Sequence, residues 1–172
     1  MKIRIIGACG SGKTTLAKKL SNHYGISFFE IDNLIWDRTA DNKKYPEETR
    51  DSNIQSILNL NSWIVEGVQV KNWTLKTIED ADFILILRPH VFVRDLRILK
   101  RYVLLKTGIR PWNYNQSFRN VRKMIKDWNH KYNYQEVINL ISSKQKIYYV
   151  VKSTREVIRR IEEHCGQIQR RQ

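Results

Sequence analysis

Acidic residues are scarce in this chain. Aspartate and glutamate number 17 against 31 lysines and arginines in 172 residues, a formal charge of +14 at neutral pH. That imbalance predicts attraction to polyanions, whether nucleotides, phosphorylated small molecules or nucleic acid, without choosing among them. Cysteine is scarcer still. Cys9 and Cys165 stand at opposite ends, which argues against a structural disulfide and leaves no metal-ligand spacing or zinc quartet. Long hydrophobic runs are missing too: the longest, Phe83 to Leu87, has the length of a buried strand and falls far short of the ~20 residues that span a bilayer. No apolar leader precedes the first strand, so the chain is expected to be cytoplasmic and off the membrane. Repeats and low-complexity stretches are absent, and an apolar content of 41% over the length of one ordinary domain is enough to bury a core.

What the chain does contain is concentrated at its start. Lys2 to Ile6 is a β-branched run that predicts a buried strand, leading straight into Gly7-Ala8-Cys9-Gly10-Ser11-Gly12-Lys13-Thr14. That octet fits the phosphate-loop (P-loop, Walker A) pattern G-x-x-x-x-G-K-[ST] at every fixed position. Thr15 to Leu20 then begins a helical pattern with Leu16 and Leu20 one turn apart, so the motif lies between strand and helix as its chemistry needs. Glycine at 7, 10 and 12 admits turn conformations and lets successive N–H groups surround a phosphate. The helix N-terminus adds unpaired donors and a positive dipole end. Lys13 supplies a mobile charge for the β- and γ-phosphates, and the Thr14 hydroxyl is the expected Mg²⁺ ligand. The expectation is therefore a site for ATP with Mg²⁺ built from Gly7, Ala8, Cys9, Gly10, Ser11, Gly12, Lys13, Thr14 and Thr15.

Farther along, Gly25 reads as a helix C-cap and Ile26 to Ile31 as a second strand with Asp32 at its carboxyl end, the edge where ligands of open parallel sheets gather. Asn33 to Tyr45 reads as a mobile connection. Pro46-Glu47-Glu48 starts a helix that buries Ile54, Ile57 and Leu58 and ends near Leu60. Ser62 to Val65 is the third strand, followed by Glu66-Gly67, a loop and a short helix to about Glu79; Asp82 to Leu87 is the fourth, stopped by Arg88-Pro89. Val91 to Lys106 is helical, with Phe92, Leu96, Leu99 and Val103 on one face. Ser117 to about Tyr132 is a helix with Phe118, Val121, Ile125, Trp128 and Tyr132 at three- and four-residue spacing. A helix at Gln135 to Ser142, a fifth strand at Lys146 to Val151 and a capping box at Ser153 to Glu156 complete the pattern. Strands alternating with helices predict an α/β fold, a three-layer α/β/α sandwich on a five-stranded parallel sheet. The long helical stretch between the fourth and fifth strands exceeds what a crossover needs and is a candidate lid.

With those residues in view, the chain resembles the small nucleotide-kinase branch of P-loop proteins, which includes adenylate, shikimate and gluconate kinases. Within it the chain most resembles the group described as DNA topology modulation proteins (FlaR-like). The matching stretches are IIGACGSGKTTLAKKL, EIDNLIW, WIVEGV and DLRILKRY, in order at the strand ends. The resemblance implies one P-loop kinase domain over residues 1–172, with an acceptor-binding segment at 33–60 and a helical lid at 91–134. It implies that Asp32 and Glu66-Gly67 face the phosphoryl acceptor. Asp32 would bond a hydroxyl, act as a base or hold Mg²⁺ through water, and Glu66 is the other candidate carboxylate. Trp36 lines the acceptor pocket or belongs to the core. Arg97 and Arg101 resemble the R-x-x-x-R entry to the adenylate kinase lid, where one arginine lies against adenine and the other reaches phosphate. Their spacing of four places both on one helix face, which Arg94 shares; Arg88, Arg119 and Arg122 are weaker candidates. Ser153-Thr154-Arg155 stand where such kinases contact adenine. No strand beside the loop ends in a Walker-B-type aspartate, so metal assistance falls to Thr14 with Asp32 or Glu66.

The reaction implied is transfer of the γ-phosphoryl of ATP to a nucleotide or another small hydroxyl or phosphate acceptor, with Lys13, Asp32, Arg97 and Arg101 as the catalytic set. A competing reading is a nucleic-acid-binding ATPase. Trp112, Tyr114, Trp128, Tyr132 and Tyr134 interleave with Arg110, Arg119, Arg122, Lys123, Lys126 and Lys131, a composition that suits stacked bases and phosphates, although helical core packing explains the same aromatics. A third is a nucleotide sensor without turnover. The expected state is a monomer or weak dimer.

Overall fold

Strand β1 (Lys2–Ile6) is the axis of the structure. Its alternation sends Ile3 and Ile5 into one core cluster with Leu16 and Leu20, while Ile6 joins a second cluster with Trp63, Ile84 and Ile141 on the opposite side. Both faces of the strand are therefore covered, which is why it reads as apolar apart from Lys2 at its edge and the buried Arg4. The computed structural model describes residues 1–38, 43–108, 117–152, 156, 157, 160 and 161.

After β1 come α1 (Lys13–Tyr24), β2 (Phe28–Glu30) and a one-turn helix α2 (Ile31–Ile35). Two-residue strands β3 (Trp36–Asp37) and β4 (Lys43–Lys44) pair antiparallel, and α3 (Glu47–Leu58) follows Pro46. Then come β5 (Trp63–Gly67), a 3₁₀ turn at Asn72–Thr74, α4 (Lys76–Glu79), β6 (Phe83–Leu87) and the long α5 (Val91–Lys106). The helix α6 (Phe118–Lys123) continues as a π-helical turn at Met124–Asn129; α7 (Tyr134–Ser143) and β7 (Tyr148–Val151) close the sheet. The order β2-β5-β1-β6-β7 is parallel throughout, giving the three-layer α/β architecture expected from the alternation of elements.

At three places the structure differs from or adds to the sequence reading. Among its described residues, the segment read as a mobile connection, Asn33 to Tyr45, holds the end of α2 and the antiparallel pair β3 and β4, with the Tyr45 N–H donating to the Ile35 carbonyl at 2.9 Å. The second strand is shorter than Ile26 to Ile31, because the chain turns into α2 at Ile31, whose side chain packs against Gly67. The apolar stripe of α5 faces solvent, with Phe92 71% and Leu96 67% exposed, whereas Arg94 and Ile98 are the residues it buries. Periodicity found the helix; the side it buries is set by its contacts with the loop and α6. Similarly, Phe118 and Trp128 are exposed, while Val121 and Met124 pack on Ile98. Glu156, Val157, Arg160 and Ile161 are helical, and Val157 and Ile161 join the cluster around Ile3; Ser153-Thr154-Arg155 lie outside the described residues.

Candidate nucleotide-binding site

The loop between β1 and α1 is folded as a tight turn. The Ser11 N–H donates to the Ala8 carbonyl at 3.2 Å, and Gly10 and Gly12 take φ of +74° and +99°, values that L side chains rarely adopt. Gly12 caps α1 without a side-chain bond to its first turn, so the helix meets the loop with its N-terminal donors uncapped by a side chain. Gly7 allows the loop to pass the end of β6: a Cβ there would lie 2.7 Å from the Leu87 carbonyl oxygen. Lys13 is buried, and its Nζ donates to the Ala8 carbonyl at 3.2 Å, folding the side chain back over the loop. Ser11 is buried, Cys9, Gly12 and Thr14 are half-buried, and Thr15 is exposed.

The Thr14 hydroxyl donates to Glu66 Oε1 at 2.5 Å. Glu66 closes the carboxyl end of β5, in register with Glu30 of β2 on one side and Ile5 of β1 on the other. The structure thus brings Glu66 to Thr14, whereas Asp32 sits exposed in the first turn of α2. A hydroxyl and a carboxylate beside the loop are hard oxygen donors that suit Mg²⁺ shared with phosphate oxygens. Among the described residues, no cluster of three or more histidines, cysteines, aspartates or glutamates forms a metal cage by itself.

Burial pushes the Glu30 carboxyl above its ordinary range, and the charges of Glu66 and Asp32 add to that while Lys18 and Arg38 oppose it. A carboxyl with a raised native pKa is carried at a cost once ionised, so the cost is absent below its unfolded pKa and complete above its native one. Glu30→Gln is therefore expected to raise the melting temperature by about 1–3 °C at pH 7 and to give no gain near pH 3. Thermal scans at the two pH values check this.

Helix α5 lies directly against the loop. Arg97 Nη1 donates to the Ser11 carbonyl at 2.9 Å and to the Gly10 carbonyl at 3.4 Å, and Arg101 Nη2 reaches Cys9 Sγ at 3.6 Å. Both arginines singled out by the R-x-x-x-R spacing thus sit over the phosphate loop. Arg94, one turn earlier, is turned inward: it is 7% exposed, and its own carbonyl oxygen would stand 2.5 Å from a Cβ added to Gly10. Gly10→Ala combines a positive φ with that backbone clash. It is expected to cost about 2–4 kcal/mol of stability and to weaken nucleotide binding at least tenfold, as read by denaturant melts and calorimetry. Arg88 stacks 5.4 Å from the Tyr134 ring centre, whereas Arg119 and Arg122 are exposed on α6; Arg110, Trp112 and Tyr114 lie outside the described residues.

A cavity of about 730 Å³ opens beside α2 and α3. Trp36, Lys44, Arg50, Gln69, Lys71 and Trp73 are among its lining residues. Lys44 Nζ lies 5.2 Å from the Trp36 ring centre, and the Arg50 guanidinium lies 4.6 Å from that of Trp73 while bridging to Asp51 at 2.7 Å and to Glu47 at 3.5 Å. Trp36 is a lining residue. Arg50 and Trp73 were not legible as site residues, because nothing in their spacing links a residue of α3 to the turn after β5. The lining residue Gln69 is tied to the core by Arg4, fully buried, which donates to the carbonyls of Ile5, Val65 and Gln69. Desolvation lowers its pKa to about 10 against the favourable charge of Glu66.

This arrangement defines a P-loop kinase fold: a parallel sheet whose central strand delivers a glycine loop and Lys13, with a basic helix across it. The shikimate kinase family model matches residues 9–51, from the phosphate loop into α3. No curated protein matches the sequence. Among solved structures, shikimate kinase from Acinetobacter baumannii in complex with shikimate aligns over 96% of this chain and 93% of its own, with 15% identity and a TM-score of 0.56. Deoxyadenosine kinase from M. mycoides, solved with dCMP and dCDP bound, aligns over 97% and 100%, with 17% identity and a TM-score of 0.55; the same enzyme with dATP aligns equally well. At these identities the likeness establishes the fold.

Proposed function

We propose that the chain is an ATP-dependent phosphotransferase that moves the γ-phosphoryl of ATP to a small anionic acceptor. The observation that carries this reading is the convergence on one loop of Lys13, the Thr14–Glu66 pair and the two lid arginines, Arg97 and Arg101. Carbonyl contacts made by Lys13 and Arg97 are weaker partners than phosphate oxygens, so a triphosphate entering the loop would exchange them for charge-assisted bonds. Mg²⁺, when bound, neutralises charge on the β- and γ-phosphates, and Thr14 with Glu66 would hold it. The arginines of α5 would screen the moving phosphoryl group and exclude water, so that transfer outruns hydrolysis.

The cavity between Trp36 and Trp73 supports the acceptor side. Lys44, Arg50 and Lys71 outnumber Glu47 in its lining, which favours an anion, and the two indoles offer apolar area. Asp32, in the helix that leads to Trp36, is the carboxylate we assign to the acceptor hydroxyl, by orientation or proton removal. The test is transfer of label from γ-labelled ATP to a panel of nucleoside monophosphates, deoxynucleosides and polyhydroxy acids, beside a control without acceptor. Labelled product with one class supports the reading. Release of phosphate alone, stimulated by DNA, would replace it with the ATPase reading; nucleotide binding without turnover would replace it with a sensor.

A further inference from the structure

Tyr134 opens α7, where Asn133 caps the helix by accepting from the Gln135 and Glu136 N–H groups. Its side chain is buried, and its phenol oxygen has a full set of partners at the back of the phosphate loop. The hydroxyl donates to the Leu87 carbonyl at 2.9 Å, and the oxygen accepts from the Ala8 N–H at 3.2 Å and from Arg94 Nη1 at 3.3 Å. One donor and two lone pairs are all a phenol offers, and all three are used. They join the end of β6, the second residue of the loop and the lid helix at a single atom.

Arg94 is the unusual member. Its guanidinium stands 5.4 Å from the Tyr134 ring centre, Nη1 also reaches the Asn129 carbonyl at 3.5 Å, and the buried Nε has no partner. No described carboxylate lies within 4 Å of it; the adjacent Asp95 is engaged by Asn129 and His130 instead. A buried cation without a counter-ion is costly, and its field is weakly screened. It is separated from the loop by one phenol oxygen.

We propose that Tyr134 is a positioning residue for nucleotide binding, which fixes the loop through Ala8 and Leu87, and that Arg94 lends its unneutralised charge to the polyphosphate bound in front of it. Ala8 then contributes structure to the loop while the N–H groups from Gly10 onward face the ligand. The inference rests on the nucleotide site proposed above and names residues that do not touch the ligand.

Three variants and one measurement on the unaltered chain test it. Tyr134→Phe keeps the ring over Arg94 and orphans the Ala8 N–H, so ATP·Mg²⁺ affinity is expected to fall about tenfold by calorimetry. Arg94→Met should weaken tripolyphosphate more than pyrophosphate, and Arg94→Lys should recover most of that difference, because the effect is one of charge. A merely structural role would lower the melting temperature and weaken both anions alike, which would overturn the proposal. In the unaltered chain, the Ala8 amide is expected to resist hydrogen exchange before nucleotide is added, while the amides of Gly12 to Thr14 slow only after it. Free exchange at Ala8 would sink the idea even if Tyr134→Phe failed to fold. If the unaltered chain binds neither ATP nor tripolyphosphate, the failure belongs to the proposed nucleotide site itself; if it binds both and the variants bind as well, the failure belongs to Tyr134 and Arg94.

Discussion

Lys13→Ala is expected to lower affinity for ATP·Mg²⁺ by on the order of a hundredfold and to bring phosphoryl transfer to background, with the fold intact. The two halves of that result come from the same geometry. In the structure the ammonium is held by a loop carbonyl at 3.2 Å, a bond worth about 1 kcal/mol net, so truncation costs little stability. Facing a triphosphate, the same group becomes a buried charge against β- and γ-oxygens, and that contribution is lost entirely. Calorimetric titration beside a thermal melt separates the two. Loss of binding together with collapse of the melting temperature would show that Lys13 is a structural residue, contrary to this account.

The second large effect is expected from the lid helix. Arg97→Ala with Arg101→Ala should reduce the rate of transfer on the order of a thousandfold, with nucleotide affinity falling only about tenfold. The reasoning is positional. Both guanidiniums lie against the loop, with the Ser11 and Gly10 carbonyls and the Cys9 sulfur among their partners. The carbonyl partners of Arg97 are weaker than phosphate oxygens, so its guanidinium can exchange them for a group that gains charge during transfer. Lysine at position 97 should restore little of the rate, because a planar guanidinium can bond two phosphate oxygens at once whereas an ammonium is a point charge. Steady-state kinetics with a separate measurement of nucleotide affinity checks the split. Equal losses in both would make the arginines binding residues without a special part in transfer.

The phosphate loop was legible in the sequence because its chemistry is local: glycines, lysine and threonine at fixed offsets between a strand and a helix leave few other conformations. The sheet was legible for a similar reason, since each buried strand is a short apolar run with a turn at its end. Which surface covers which was legible only in part: Ile54, Ile57 and Leu58 of α3 are buried as their spacing predicts, but α5 is not covered along its apolar stripe. The stripe Phe92-Leu96-Leu99-Val103 has helical spacing and so predicts a helix, but spacing carries no information about the partner. The helix instead lays Arg94 and Ile98 inward, because it must press its backbone on Gly10. Glu66, one of the two carboxylates that the sequence offered, meets Thr14 through strand register from 52 residues away, and Asp32 is exposed in the first turn of α2. Tyr134 looked like one aromatic among several. Its part depends on three partners from three elements, and no spacing rule joins those.

The account stands on the claim that the amides of the loop around Gly10 to Thr15 grip the phosphates of a nucleotide. Backbone amide spectra of the unaltered chain, recorded as ATP·Mg²⁺ is added, test it most directly. The predicted result is that the resonances of Gly10, Ser11, Gly12, Lys13, Thr14 and Thr15 move first and furthest, saturably, and that tripolyphosphate competes for the same shifts. Shifts confined to the Trp36–Trp73 cavity, with that loop unmoved at saturating nucleotide, would contradict it.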